Sequence, residues 1–233
     1  MTTSPERCSD PSRPVRRRQV WGRHLSPRLG KAQKVRLETM LPALRVGLPP
    51  AGDVLALPGR TWLEIGFGGG EHLAAQAQAH PDVTLLGVEP FTGGVAKLLG
   101  LIEDRALANV RIFDDDARLL VAALPDAAVE RCFVLFPDPW PKKRHWKRRI
   151  LQSAFVRDLA RVLVQGGELR IATDHVDHLR WVLAVMLDRE DFAWLAERAS
   201  DWRVRPADWP ATRYEQKAVA QGRRPVFLRF RRR

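Results

Sequence analysis

From residue 61 onward, short apolar runs alternate with helical patterns, and this alternation constrains the chain more than any other feature. Thr61–Gly66 (TWLEIG), Val83–Glu89 (VTLLGVE), Val110–Phe113 (VRIF), Cys132–Phe136 (CFVLF) and Glu168–Ala172 (ELRIA) are strand-length runs bounded by turn residues. Helical patterns occupy Glu71–His80, Gly93–Ala108, Ala117–Leu124 and Val176 to about Asp188. Leu151, Phe155, Leu159 and Val162 recur at steps of four, four and three, which is one face of a further helix. Gly166-Gly167 is expected to stop that helix, and Val226–Phe230 (VFLRF) reads as a late strand. Alternation of this kind predicts a doubly wound α/β fold, with a mostly parallel sheet and helices on both faces.

Upstream the pattern is looser. Residues 1 to about 20 are rich in Pro, Ser and Arg and predict a mobile arm. Leu29, Val35, Leu37 and Met40 permit a short helix within Ser26–Met40, and Pro49-Pro50 opens the loop to the first strand. The chain of 233 residues thus divides into a basic arm with a leading helix, 1–50, and one domain over 51–233. No run approaches 18 uncharged apolar residues, so no transmembrane helix is expected. No apolar segment follows the N-terminal charges, so no secretory signal is expected either. Cys8 and Cys132 lie far apart without metal-ligand spacing, as do His72, His145 and His175. We expect no metal site, ordinary polar roles for these histidines, and a reduced, cytoplasmic setting.

Charge narrows the partner. The formal net charge is +12, beyond what solubility requires. The cations are clustered: ten Lys/Arg in residues 1–36, six from Lys142 to Arg149, and six from Arg223 to Arg233. No amphipathic helix with a bulky apolar face accompanies them, which disfavours a membrane surface. A nucleic acid is the expected partner, and nothing points to an obligate protein partner.

In doubly wound sheets a ligand sits at the carboxyl ends of the strands, near the switch point. The first strand ends in Gly66-Phe67-Gly68-Gly69-Gly70-Glu71. Gly66 and Gly68 would let backbone approach a ligand and turn the chain into a helix. A G-x-G-x-x-G dinucleotide pattern fails at Glu71, where a carboxylate would repel a pyrophosphate. A dehydrogenase is disfavoured, and a nucleoside ligand without phosphate fits better. Glu89 ends the second strand, placed to accept ribose hydroxyls. Asp116 follows the third strand, placed to accept from an adenine amine, or to cap the helix that begins at Ala117.

The fourth strand delivers Phe136-Pro137-Asp138-Pro139-Trp140-Pro141. Three prolines in five residues predict a stiff loop with its intervening residues extended. Such a loop suits group transfer, which is limited largely by orientation; a turn that only redirects the chain is the plainer alternative. Lys142-Lys143-Arg144-His145-Trp146-Lys147-Arg148-Arg149 follows, where cations can neutralise phosphates and the indole can stack on a base.

The segments EIGFGGGEHL, GVEPF, DDAR, LFPDPWPKKRHWKRR, IATD and TRYEQKA…GRRPVFLRF, spread over about residues 55–233, together resemble the bacterial tRNA (guanine-N7)-methyltransferases. That resemblance implies a Rossmann-like class I methyltransferase fold using S-adenosylmethionine. It implies 7-methylguanosine as product, at guanine 46 of the tRNA variable loop. Glu64, Glu89, Asp116 and Asp138 would line the cofactor site, with Asp138 also catalytic. Lys142, Asp174 and Thr212, Arg213, Tyr214 and Glu215 would contact the substrate nucleotide. Arg144, His145, Trp146, Lys147, Arg148 and Arg149 would bind RNA. The arm before residue 20 lies outside the resemblance.

Guanine N7 is a neutral lone pair, so its methylation needs no strong base. A carboxylate could stabilise the cationic product and accept from the guanine edge, and Asp138, Asp174 and Glu215 are the candidates. Two other readings remain: an exocyclic-amine methyltransferase, whose proline-aromatic loop the Asp138 loop loosely resembles, and an RNA-binding protein with a vestigial fold.

Overall fold

The structure is a computed structural model that describes residues 20, 21, 24–26 and 28–233. The expected mobile arm lies almost wholly outside the described residues. Two helices lead, α1 (Lys31–Thr39) and α2 (Leu41–Leu44). There follow β1 (Thr61–Ile65), α3 (Glu71–Ala79), β2 (Thr84–Val88), α4 (Thr92–Asp104), β3 (Val110–Phe113), α5 (Ala117–Ala123) and β4 (Val129–Leu135). After a 3-10 turn over Lys143–Arg148 come α6 (Ser153–Val162), β5 (Leu163–Thr173), α7 (Val176–Leu187) and β6 (Phe192–Trp194). The chain ends with α8 (Ser200–Arg203), α9 (Arg213–Ala220) and β7 (Val226–Arg232).

The seven strands form one sheet in the order β3-β2-β1-β4-β5-β7-β6. β1 to β5 pair in parallel, while β7 runs antiparallel between β5 and β6. Strand order reverses between β1 and β4, so the connections leaving those two strands diverge and open a cleft at their carboxyl ends. The expected doubly wound, mostly parallel sheet is what forms.

Its two faces carry separate cores, because successive strand residues point to opposite sides. Leu63, Ile65, Leu86 and Val88 meet α5, α6 and α7 on one face, through Leu120, Phe155, Leu159 and Val182. Trp62, Leu85, Val110 and Phe133 meet Leu73, Leu98 and Trp209 on the other. On α6, Phe155, Leu159 and Val162 are buried, as their spacing requires.

Several boundaries differ from the expectation. The leading helix is confined to α1, none of whose residues is fully buried; Leu37 and, just beyond it, Met40 pack against the core while the residues from Ser26 to Gly30 stay outside the helix. Gly166-Gly167 does not stop α6, which ends at Val162 and passes directly into β5. The glycines form an irregularity in β5, where pairing jumps from Val129↔Leu163 to Arg131↔Glu168. Gly166 has φ 79°, and a Cβ on Gly167 would stand 2.9 Å from the Val164 carbonyl oxygen. These are the demands of a bulge, which glycine meets. β6, α8 and α9 are further elements that the residue patterns did not announce.

Candidate functional site

At the carboxyl ends of β1 to β4 lies a cavity of about 520 Å³. Glu64, Gly66, Gly68, Glu89, Asp116 and Asp138 all line it. Tyr214, Thr212 and Arg148 reach it from elsewhere in the chain, and so do Val20 and Trp21.

The floor is the glycine loop. Gly66, Gly68 and Gly70 have φ of 73°, 57° and 80°, a left-handed alternation that side chains would resist. α4 begins hard against this loop. A Cβ on Gly94 would lie 2.2 Å from the Gly68 carbonyl oxygen, so only glycine permits that approach. Glu71 lines the cavity where α3 begins, so an acid occupies the place where a dinucleotide's pyrophosphate would meet backbone N–H groups.

Three acids stand around the floor, each held by its own surroundings. Glu64, at the end of fully buried β1, is 2% exposed and lies 2.7 Å from His72 Nδ1. Glu89 accepts from the Gly68 N–H at 2.9 Å and the Phe91 N–H at 3.0 Å. Burial raises its pKa above the ordinary carboxylate value in spite of those two donors. Asp116 caps α5, accepting from the Arg118 N–H at 2.9 Å, and it also lines the cavity. The capping and ligand readings of Asp116 are therefore compatible. His72, taken from the sequence as an ordinary polar residue, is instead buried in the cavity wall.

The opposite wall is the proline loop. It is stiff, but its backbone is not extended throughout. Phe136 and Trp140 have φ of 49° and 41°, left-handed for large side chains that precede proline. The expectation from proline sterics fails here because tertiary contacts hold the loop. Arg149 Nε donates to the Pro139 carbonyl at 2.8 Å, and Arg149 Nη2 to the Trp140 carbonyl at 3.3 Å. Asp138, immediately before the clamped Pro139, is exposed at the mouth, and partial burial of its carboxyl against the wall raises its pKa.

The basic run divides in two. Lys142, Lys143, Arg144 and Lys147 are exposed beside the mouth. His145 packs edge-on against Trp140, and its pKa is lowered by burial and then by the cations around it. Arg149 departs from the expected RNA contact. It is 1% exposed, with its guanidinium over the rings of Trp146 at 4.9 Å and Trp181 at 5.2 Å. Those contacts also engage Trp146, whose ring was expected to stack on a base. Arg148 lies between two indoles, 4.7 Å from the Trp21 centroid and 5.0 Å from that of Trp140. A residue of the N-terminal segment thus completes the cavity mouth, which nothing in its local sequence signalled.

The remaining substrate candidates are dispersed. Thr212 caps α9, its Oγ1 accepting from the Glu215 N–H at 3.1 Å. That cap turns Tyr214 into the cavity, where burial and then the charges of Glu89, Asp138 and Glu71 raise its pKa. Arg213 is exposed on α9. Glu215 pairs with Arg205 at 3.0 Å, and Asp174 pairs with Arg223; neither acid lines the cavity. Among the described residues, Asp138 is the one of the three proposed guanine-edge acids that makes no ion pair. No group of three metal-ligating residues occurs among the described residues, and no described helix is long and apolar enough to cross a membrane.

This strand order, with its floor of glycines and ring of acids, defines a Rossmann-like methyltransferase fold. The chain superposes on the precorrin-6y C5,15-methyltransferase of Geobacter metallireducens GS-15 with a TM-score of 0.51 and 15% identity, covering 90% of this chain and 94% of that one. The fibrillarin/Nop5p complex gives 0.50 and 16% identity, covering 78% and 77%. Residues 59–228 match the family described as "Putative methyltransferase". Closer relatives are named tRNA (guanine-N(7)-)-methyltransferase. That of Rhodospirillum rubrum is 47% identical, covering 96% of this chain and 91% of its own length. That of Paramagnetospirillum magneticum is 46% identical, covering 93% and 94%, and that of Rhizobium meliloti 44%, covering 91% and 94%. The chain belongs to the bacterial tRNA (guanine-N7)-methyltransferase family.

Proposed function

We propose that this protein methylates N7 of a guanine in tRNA, guanine 46 of the variable loop, with S-adenosylmethionine as methyl donor. One observation carries the reading: a chain of this family places an acid-ringed cavity at its switch point, walled by the Asp138 loop and flanked by exposed cations. The donor set suits the cofactor. Glu89 presents a carboxylate already fixed by two N–H groups, suited to ribose hydroxyls. A Cβ on Gly66 would meet nothing within 4 Å, so the glycine leaves space beside the loop. A volume near 520 Å³ is ordinary for a small-molecule site.

When bound, the cofactor supplies an electrophilic methyl group on a sulfonium. The chain's part is orientation and charge. Glu64, Glu89 and Asp116 hold the cationic nucleoside, with Gly66 and Gly68 lining its path. The loop clamped by Arg149 holds Asp138 at the mouth, where its carboxylate stabilises positive charge passing onto the purine. No proton need leave the attacking nitrogen, so Asp138 acts by charge and hydrogen bonding rather than as a strong base. Lys142, Lys143, Arg144 and Lys147 neutralise RNA phosphates, and Tyr214 offers an aromatic face for the extracted base.

Incubation with labelled S-adenosylmethionine and unmodified tRNA, followed by nucleoside analysis, tests this. We expect 7-methylguanosine, lost when guanine 46 is replaced. Label in another nucleoside would point to an exocyclic-amine methyltransferase. No label despite tight tRNA binding would point to an RNA-binding protein.

A further inference from the structure

Glu64, the penultimate residue of β1, is 2% exposed, and a buried carboxylate is costly without hydrogen-bond donors. Its partner is His72 in the first turn of α3, with Nδ1 2.7 Å from Glu64 Oε2. One helical turn further, Gln76 Nε2 lies 3.3 Å from His72 Nε2 and donates to the Asp208 carbonyl at 2.8 Å. A carbonyl only accepts, so Gln76 presents its NH₂ group there. The second hydrogen of that group faces His72 Nε2, which therefore accepts. A ring that accepts at Nε2 carries its proton on Nδ1 and donates it to Glu64.

The far end of this line is anchored. The Asp208 carboxylate binds Arg170 Nη1 at 2.6 Å, and neighbouring Trp209 is buried against Phe133 and Phe227. His72 itself packs edge-on against Phe133 with centroids 4.7 Å apart. The ring can neither rotate freely nor change tautomer without losing a bond.

We propose that His72 is a positioning residue for cofactor binding, its Nδ1–H tautomer, set by Gln76, holding the Glu64 carboxylate in place and aimed into the cavity. A neutral donor does this without cancelling the charge. An arginine or lysine partner would saturate Glu64, whereas a neutral imidazole leaves the negative charge to meet a cationic group of the bound nucleoside. The inference rests on the cofactor assignment made above for the same cavity.

Binding of S-adenosylmethionine, measured calorimetrically, tests it. Wild type must bind; if it does not, the cofactor assignment falls and not the relay alone. His72→Phe keeps an aromatic volume but removes the donor, and we expect about tenfold weaker binding. In turnover, KM for the cofactor should rise, with kcat and the affinity for tRNA retained. His72→Asn places an amide N–H near the position of Nδ1 and should recover most of the loss. Gln76→Leu frees the tautomer and should cost about threefold. Cofactor affinity unchanged in a folded His72→Phe protein would overturn the proposal. If His72→Phe fails to fold, unchanged affinity in Gln76→Leu overturns it instead.

Discussion

Arg149 was expected to bind RNA, and its position assigns it other work, which replacement by lysine measures. The guanidinium makes two hydrogen bonds to the carbonyls of Pro139 and Trp140 and lies over two indoles. Hydrogen bonds from a charged donor contribute about 1.5–3 kcal/mol each, and the 3.3 Å bond belongs at the low end, so the pair gives about 4 kcal/mol. Two cation–π contacts add about 1 kcal/mol each. Against this stands the left-handed backbone at Phe136 and Trp140, costing about 1–3 kcal/mol per residue. The clamp, about 6 kcal/mol, exceeds or at most matches a strain of about 2–6 kcal/mol, so losing half of the clamp brings the two into balance. A lysine retains a charge but loses the planar fork that reaches both carbonyls. About half the restraint goes, the loop relaxes toward extended backbone, and Asp138 leaves its place. We expect kcat to fall about 100-fold, the scale of a misplacement near 1 Å. The affinity for tRNA and its dependence on salt should not move, because no exposed cation has been removed. Single-turnover methylation at saturating tRNA, with filter binding across a salt series, gives both readouts. An intact kcat in the folded variant would mean that the loop keeps its shape without the Arg149 fork, and would refute the clamp.

Asp138→Asn should leave tRNA affinity intact and cut turnover at least tenfold, by filter binding and nucleoside analysis; undiminished turnover would remove Asp138 from the chemistry. Replacing Lys143, Arg144 and Lys147 together with alanine should weaken tRNA binding and flatten its salt dependence by about one unit per lost phosphate contact, without altering the product. Burial raises the Glu89 carboxyl, and the ionised form is the one that accepts ribose hydroxyls. Cofactor affinity should therefore fall as pH descends through a window lying above the ordinary carboxylate value, and a loss confined to or below that value would contradict it. His178 is fully buried, and burial, then the charges of Arg149 and His175, lowers its pKa from 6.5 to about 4. The unfolded chain binds that proton first, so this site's contribution to stability is intact above pH 6.5 and lost as pH falls from 6.5 to 4, about 3 kcal/mol in all. Denaturant titrations of wild type and His178→Leu across that window should diverge accordingly; parallel curves would contradict it.

Strand spacing and turn residues made the parallel sheet legible, because buried strands separated by helical patterns admit few other arrangements. Two cavity acids were legible for the same reason: Glu89 and Asp116 follow strand ends, and topology alone places strand ends together, whereas Glu64 came only from the family resemblance. What escaped depends on contacts between distant segments. β6 spans only three residues and is held by β7, a neighbour remote from it in sequence. Trp21 reaches the mouth through its contact with Arg148, which no local pattern encodes. Arg148 and Arg149 are adjacent in the sequence, yet one lines the cavity and the other is buried beneath the loop. Charge counting treats them alike. Proline sterics alone also misjudged Trp140, whose carbonyl a buried guanidinium holds against the local preference of the backbone.

The acids around the cavity discriminate between ligands by charge. Glu89 is pushed up chiefly by burial, but Asp138 and Glu64 also repel its ionised form. Tyr214 is held un-ionised by burial and then by Glu89, Asp138 and Glu71. A cavity so arranged is destabilised by its own negative charge when empty, and a cation entering it relieves that repulsion. A dinucleotide would instead bring its pyrophosphate to α3, where Glu71 stands, and would add to the repulsion. A cationic nucleoside inside and a polyanion outside, against the exposed lysines and Arg144, is therefore the distribution of ligands that lowers the electrostatic energy at both surfaces. It also explains why Glu64, Glu89 and Asp116 are each anchored by a donor of their own while Asp138, at the boundary between the two ligands, is held by the backbone that carries it. On the proposed function Asp138 would meet charge that arrives on the purine with the methyl group, and for that a fixed position is what matters.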